Sequence, residues 1–321
     1  MQAGYSQVKF AQLSSGTKIP RVGYGTSEAQ NLDTLLVEAI NVGYRHIDTA
    51  ACYNNEELVG KAITTVLKEG KVKREDLFVT TKVVAEMNDV AKSLNKSLKD
   101  LQVDYVDLFL IHWPVADWDK ETQTFKRPPL HVVWKQMEDL VRSGKTKAIG
   151  VSNFNVQILV DLLTYAEIKP VCNQVEVHPY LTQEDLISFC KKNDIEITAY
   201  SPLGGNFPGG SFGQGKAYFK YMWTHLLLEL SVKTLIEEAP VKELAAKYNK
   251  TPTQIVLNWH LSRGYVVIPK TSTLSRLREN LECDTFEMTV EELKRISALN
   301  RNARACDPKN WEGFGFTPVF A

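Results

Sequence analysis

The stretch GYGTSEA, residues 23–29, decides between the two folds open to a chain whose short apolar runs alternate with longer helical stretches. A doubly wound sheet that holds a dinucleotide needs the pattern G-x-G-x-x-G directly after its first strand. Gly23 and Gly25 fill the first two positions, but Glu28 stands at the third. The competitor is a closed barrel, and the rest of the chain supplies its strands. RVGYG (21–25), YRHIDTA (44–50), LFVTTKV (77–83), VDLFLIH (106–112), KAIGVS (147–152), VCNQVEV (171–177), EITAYS (196–201) and YVVIPK (265–270) make eight.

Amphipathic segments lie between these runs. LDTLLVEAINV keeps Leu32, Leu35, Leu36, Ala39 and Ile40 on one helical face. Asn54 or Asn55 before EELVGKAI, Thr182 before QEDLISFC and Thr289 before VEELKRISAL have the chemistry of N-caps, and Pro252 suits the first turn of TPTQIVLNWHLS. The pattern predicts an α/β fold, a (β/α)8 TIM barrel forming one domain over residues 1–321.

Three pieces fall outside it. Residues 8–19 alternate on both sides of a Ser-Gly turn, which predicts a β-hairpin cap on the barrel's bottom. Residues 204–234 are a long insertion at the C-terminal face, with Tyr218, Phe219, Tyr221 and Trp223 available as a lid or substrate wall. Residues 301–321 are an aromatic tail carrying Trp311, Phe314, Phe316 and Phe320. Gly210, Gly215 and Lys216 match the start of a phosphate-binding loop, but Ala217 replaces the metal-binding Ser or Thr, so that reading is set aside.

Composition narrows the partners. Lys plus Arg (38) balances Asp plus Glu (38), and with no long basic run there is no electrostatic case for nucleic acid or an anionic membrane. MQAGYSQVKF has neither the basic start nor the apolar stretch of a signal peptide, and no run of 18 apolar residues occurs, so a cytoplasmic protein is expected. Five widely spaced cysteines with no C-x-x-C pair read as free thiols in a reducing compartment.

Barrels keep catalytic groups where their strands end at the C-terminal face. Asp48, Lys82 and His112 end strands two, three and four, and Tyr53 follows on the loop after Asp48. Singly, Asp48 suits a turn as well as a site, Tyr53 a packing aromatic, and His112 a satisfied core histidine. Lys82 is different, because a lysine closing LFVTTKV must pair or reach solvent. Together the four suit proton donation by a phenol. A free tyrosine has a pKa of about 10, and a neighbouring ammonium lowers it. Asp48 then holds Lys82 charged, His112 hydrogen-bonds a substrate oxygen, and the phenol protonates a carbonyl while hydride attacks its carbon.

HIDTAACYNNEELVG (46–60), VTTKV (79–83), LIHWP (110–114), GVSNFN (150–155), NQVEVHPYL (173–181), AYSPLG (199–204) and VIPKTSTLSRLREN (267–280) resemble the blocks of the aldo-keto reductases, in that family's order and over nearly the whole chain. The resemblance implies Tyr53 as general acid, Asp48 and Lys82 tuning it, and His112 with Trp113 on the substrate side. It implies a nicotinamide cofactor across the barrel mouth and no metal. Tyr200 would stack on its ring, and Ser152, Asn153 and Gln174 would bind its carboxamide, with Thr26 and Asp48 close by. Ser201 and Leu203 would follow the pyrophosphate. Lys270, Thr271, Ser272, Thr273 and Arg276 would hold a 2′-phosphate, and Glu279 and Asn280 the adenine. Two cations among hydroxyls favour phosphate, hence NADPH over NADH, although Thr273 or Ser275 read blandly is a helix cap.

Some positions depart from the family. Ser27 replaces an aromatic wall of the substrate pocket, and Asn206 and Phe207 stand where an acidic residue clasps the cofactor in many members. The expected protein is a carbonyl reductase of the aldose or xylose reductase kind, a monomer or weak homodimer acting on a small carbonyl compound. Two alternatives stay open: a Schiff-base aldolase using Lys82, and a non-catalytic NADP(H)-binding redox sensor on the same fold.

Overall fold

In the computed structural model the described residues are 8–84, 87–115, 118–119, 121–204, 234–308, 317, 319 and 320. The bulk of the predicted insertion (205–233), with Asn206, Phe207 and the Gly210–Lys216 pattern, lies outside them, as do Trp311, Phe314 and Phe316.

Strands β1 (Phe10–Gln12) and β2 (Lys18–Pro20) form an antiparallel hairpin. Then come β3 (Gly23–Gly25), β4 (His46–Asp48), β5 (Phe78–Val83) and β6 (Leu108–Ile111). A two-stranded ribbon, β7 (Trp118–Asp119) with β8 (Thr124–Phe125), precedes β9 (Ile149–Ser152), β10 (Cys172–Glu176), β11 (Glu196–Tyr200) and β12 (Val266–Val267). The eight strands β3–β6 and β9–β12 pair in parallel in chain order. A parallel bridge between Val22 and Val267, and bonds from Val267 N to Arg21 O (2.9 Å) and Gly25 N to Pro269 O (3.2 Å), join the last strand to the first. The predicted (β/α)8 barrel is the fold observed.

The opening glycines serve this closure. A Cβ on Gly23 would lie 2.6 Å from His46 Nδ1, and one on Gly25 would lie 2.8 Å from the Ile268 carbonyl oxygen. Both are closer than any side chain allows, so Gly23 and Gly25 let β3 approach its neighbours on either side. β12 is shorter than the run 265–270 because Pro269 has no N–H to give the ladder.

The helices follow the sequence pattern closely. Leu32–Val42 buries the five predicted residues and stops at Gly43, whose positive φ of 123° turns its N–H back to Ala39 and Ile40. Thr251 and Thr289 both close capping boxes, at Pro252–Ser262 and Val290–Ser297. Two expected caps are not made. Asn55 precedes Glu56–Lys68 but bonds Thr26 O (2.9 Å) and Thr49 Oγ1 (3.2 Å), and Gln183 rather than Thr182 flanks Glu184–Lys192.

The hairpin does seal the bottom. Leu13 and Ile19, 2% and 0% exposed, pack on Phe78, Leu108, Ala148, Val171 and Val266 where the barrel strands begin. Each such side chain contributes about 1.5–3 kcal/mol by leaving water. Among the described residues no helix is long and apolar enough to cross a membrane.

Two histidines are entombed by this packing. Burial lowers both His46 and His260 to about 4, although the Pro20 carbonyl near His46 and the Val177 and Val256 carbonyls near His260 pull the other way. An unfolded histidine titrates near 6.5, so as pH falls the unfolded chain takes up protons before the native one and stability drops. Between pH 7 and pH 5, where few carboxylates titrate, the loss is roughly 2 kcal/mol per histidine. Urea midpoints should therefore fall steadily over that interval, and equal midpoints at pH 7 and pH 5 would show that these rings are not held neutral.

Candidate active site

The ladder of the barrel continues past its strand ends and fixes the residues that sit there. Thr26 N bonds Asp48 O (3.0 Å), Thr49 N bonds Thr80 O (2.9 Å), His112 N bonds Val83 O (2.8 Å) and Asn153 N bonds Gln174 O (3.0 Å). Asp48 is the last residue of β4, Lys82 the penultimate residue of β5, and His112 follows β6. Tyr53 ends a single 3₁₀ turn, Ala51–Tyr53, which Asn54 closes in the left-handed region (φ 54°).

At the centre is an ion pair. Lys82 is fully buried, and its Nζ donates to Asp48 Oδ1 at 2.6 Å and to Thr49 O at 2.8 Å. Asp48 Oδ2 accepts from Gln174 Nε2 at 2.7 Å. Lys82 Nζ also lies 5.1 Å from the centre of the Tyr53 ring, which meets the His112 ring edge-on at 5.6 Å. The four residues read from three strand ends therefore form one cluster.

Its electrostatics differ from the expectation in one respect. Tyr53 is not lowered by Lys82: desolvation first, and the Asp48 charge second, push the phenol well above 10, while a hydrogen bond with Ser27 acts weakly the other way. The ammonium is already committed to Asp48 and Thr49, which leaves it little influence on the phenol. Tyr53 therefore keeps its proton across the neutral range. Burial, then Lys82, push His112 well below 6.5, so it is a neutral imidazole. Its Nδ1 contacts Cys52 Sγ at 3.4 Å, and among the described residues its Nε2 has no partner.

The rest of the predicted set divides into three groups. Ser152, Asn153, Gln174 and Tyr200 are linked: Ser152 Oγ donates to Gln174 O (2.7 Å), Asn153 Nδ2 to Ser152 Oγ (3.1 Å) and His112 O (2.9 Å), and Tyr200 OH to Asn153 Oδ1 (2.7 Å). Ser201 lies in the left-handed region (φ 47°) at the turn containing Leu203. Lys270, Ser272 and Thr273, between β12 and the helix Leu274–Leu281, and Arg276, in the first turn of that helix, are exposed beside the buried Thr271. Thr273 precedes that helix without making a side-chain cap, and neither Lys270 nor Arg276 has a carboxylate partner among the described residues. Asn280 is buried, whereas Glu279 is tied to the neighbouring helix by accepting from Thr251 Oγ1 at 2.6 Å.

The residues fit a nicotinamide dinucleotide. Thr26 Oγ1 is buried beside Asp48 with no hydrogen-bond partner, a hydroxyl left for a ligand. The cation pair among free hydroxyls suits a phosphate. Among the described residues no group of three or more His, Cys, Asp or Glu could hold a metal ion.

Sequence reading missed how the tail is anchored. Glu176, fully buried, accepts from the Ala305 amide (2.7 Å), the Cys306 amide (2.8 Å) and His178 Nε2 (2.8 Å). Burial alone would raise its carboxyl, but these donors outweigh it and hold it below the usual range. Cys306 is thereby set against Trp113, Val319 and Tyr200, and Phe320 meets Trp113 at 5.9 Å. The apolar stretch VEVHP gave a signal in hindsight, since an acid between two valines at a strand end needs donors.

A parallel barrel with a buried lysine-carboxylate pair close to a phenol at its mouth suits an oxidoreductase that acts on carbonyls with a nicotinamide cofactor. The Aldo/keto reductase family model matches residues 12–301. The chain belongs to that family. It is 41% identical to aldo-keto reductase family 1 member A1 of Gallus gallus over 93% of this chain and 91% of that one, and 39% identical to the NAD(P)H-dependent D-xylose reductase of Candida tenuis over 100% of both. The crystal structure of a Bombyx mori aldo-keto reductase in complex with NADP, 34% identical, superposes with a TM-score of 0.83 over 98% of this chain and 99% of that one.

Proposed function

We propose that this protein reduces an aldehyde or ketone to its alcohol with NADPH, and that Tyr53 delivers the proton. The observation that carries the reading is the buried Lys82–Asp48 pair at 2.6 Å, with the Tyr53 ring 5.1 Å from Lys82 Nζ and His112 edge-on to that ring at the barrel mouth. When bound, the reduced nicotinamide supplies the hydride. Tyr53 holds a proton at its phenol oxygen, and the neutral His112 hydrogen-bonds the substrate oxygen and orients it. Lys82 and Asp48 stiffen the floor beneath the phenol and face it with a cation. Tyr200, Asn153, Ser152, Gln174 and Thr26 hold the nicotinamide end, and Trp113 with the anchored tail walls the substrate side.

Lys82 does not suit a Schiff base. That chemistry needs a neutral amine, and a carboxylate at 2.6 Å favours the ammonium. Aldoses are the first substrates to assay, because relatives carry the names aldose reductase and D-xylose reductase.

The preference for NADPH is supported by the exposed Lys270–Arg276 cluster and by the NADP complex of the Bombyx mori protein. Relatives named for xylose reduction differ in cofactor, one being NADH-dependent and another NAD(P)H-dependent. Arg276→Ala should weaken NADPH by roughly 1.5–3 kcal/mol, the worth of a hydrogen bond to a charged group, which is about 10- to 150-fold, and leave NADH nearly unchanged. Fluorescence titration with both dinucleotides checks this; equal losses would remove Arg276 from phosphate binding.

A further inference from the structure

The contact between Cys52 and His112 has no place in the mechanism above. We propose that Cys52 is a positioning residue whose S–H donates to His112 Nδ1 and so keeps the imidazole as the tautomer with its proton on Nε2. The role rests on the proposed function only for its consequence, because a tautomer exists whether or not the enzyme turns over.

The argument starts from how many protons the pair holds. His112 is neutral and 9% exposed, so a single N–H is shared between two nitrogens with different surroundings. Nδ1 faces Cys52 Sγ at 3.4 Å; Nε2 has no partner among the described residues. Although Cys52 as a residue is exposed, its sulfur sits in poorly solvated surroundings that push the thiol up to about 11, so it is an S–H donor and not a thiolate. Two arrangements remain, S–H to Nδ1 or Nδ1–H to sulfur. Imidazole nitrogen is a good acceptor and the thiol sulfur a weak one, so the first is favoured. Nδ1 then accepts, and Nε2 carries the hydrogen.

The consequence is a choice between donor and acceptor at the reacting oxygen. A carbonyl oxygen gaining negative charge needs a donor, which Nε2–H supplies and a bare Nε2 does not. The other ring neighbours, Tyr53 edge-on at 5.6 Å and Trp113 stacked at 6.5 Å, offer π faces and edges and do not select a tautomer. The chain places Cys52 in the same 3₁₀ turn as Tyr53, so a single turn positions both the phenol and the partner of the imidazole.

The test is two-bond proton–nitrogen NMR of protein labelled with ¹⁵N-histidine, with His112 assigned by a His112→Asn variant, alongside steady-state reduction of glyceraldehyde by NADPH. Wild type should show the Nε2–H tautomer. Cys52→Ala should lose that bias and about tenfold in kcat/KM, the size of one lost hydrogen bond, with NADPH affinity unchanged. Cys52→Ser, which keeps a donor, should retain the tautomer and most of the rate. An Nδ1–H tautomer in wild type, or an unaltered Nε2–H tautomer in Cys52→Ala, would overturn the proposal. A shifted tautomer with full turnover would uphold the Cys52 contact and remove His112 from the proposed function instead.

Discussion

Tyr53→Phe is expected to lower carbonyl reduction by about two to four orders of magnitude, the range for loss of a positioned general acid. NADPH affinity should stay within about twofold, since the ring keeps its edge contact with His112 and only the hydroxyl is lost. The fall should appear in kcat and kcat/KM together, because the interaction removed is one made at the moment the oxygen gains charge. The raised phenol sharpens this expectation. A hydroxyl pushed up by burial and by Asp48 is a reluctant acid in the resting protein, so the proton leaves only when a developing alkoxide competes for it. Rapid turnover by Tyr53→Phe would mean that another donor protonates the substrate, and the Ser27 hydroxyl that touches Tyr53 would be the first to examine.

Asp48→Ala is expected to cost 3–5 kcal/mol of stability as well as activity, about what it costs to strand one partner of a buried ion pair. Lys82 is fully buried, and among the described residues Asp48 is its only carboxylate and the Thr49 carbonyl the other acceptor of Nζ. Gln174 would lose its acceptor in the same step. The pair is a weak net source of stability, because removing both charges spares both desolvation costs. Asp48→Ala with Lys82→Met should therefore recover most of the loss seen in Asp48→Ala alone. Urea unfolding of the four proteins in this cycle measures the coupling directly. A double variant no more stable than the single one would show that Lys82 is not held charged by Asp48.

The barrel was legible because its evidence is periodic. Eight apolar runs and the face kept by Leu32, Leu35, Leu36, Ala39 and Ile40 depend only on residue spacing, and Glu28 at the third glycine position removed the competing fold. Gly23 and Gly25 were legible as glycines but not as closure residues, since the contacts they permit come from His46 and Ile268, far away in the chain. Asp48, Lys82 and His112 were found because strand ends map onto one mouth. The direction of the Tyr53 shift was not, because it is set first by how deeply the fold buries the phenol and then by the Asp48 charge, and the depth of burial has no signature in local sequence. Asn55 failed as a simple cap because its side chain braces the loops at Thr26 and Thr49 instead, and Thr182 lies one residue too early, with Gln183 at the cap position. Glu176 and its grip on Ala305 and Cys306 span some 130 residues, beyond what local pattern can reach.

The most direct test of the central claim is a fluorescence titration of the purified protein with NADPH and NADH, followed by glyceraldehyde, xylose and an aromatic aldehyde while the reduced-nicotinamide absorbance is watched. The account predicts tighter binding of NADPH than of NADH and loss of that absorbance with at least one carbonyl. Tight binding with no turnover across the panel would contradict the reductase reading and favour a sensor of the cofactor's redox state, and no binding of either dinucleotide would contradict the site itself.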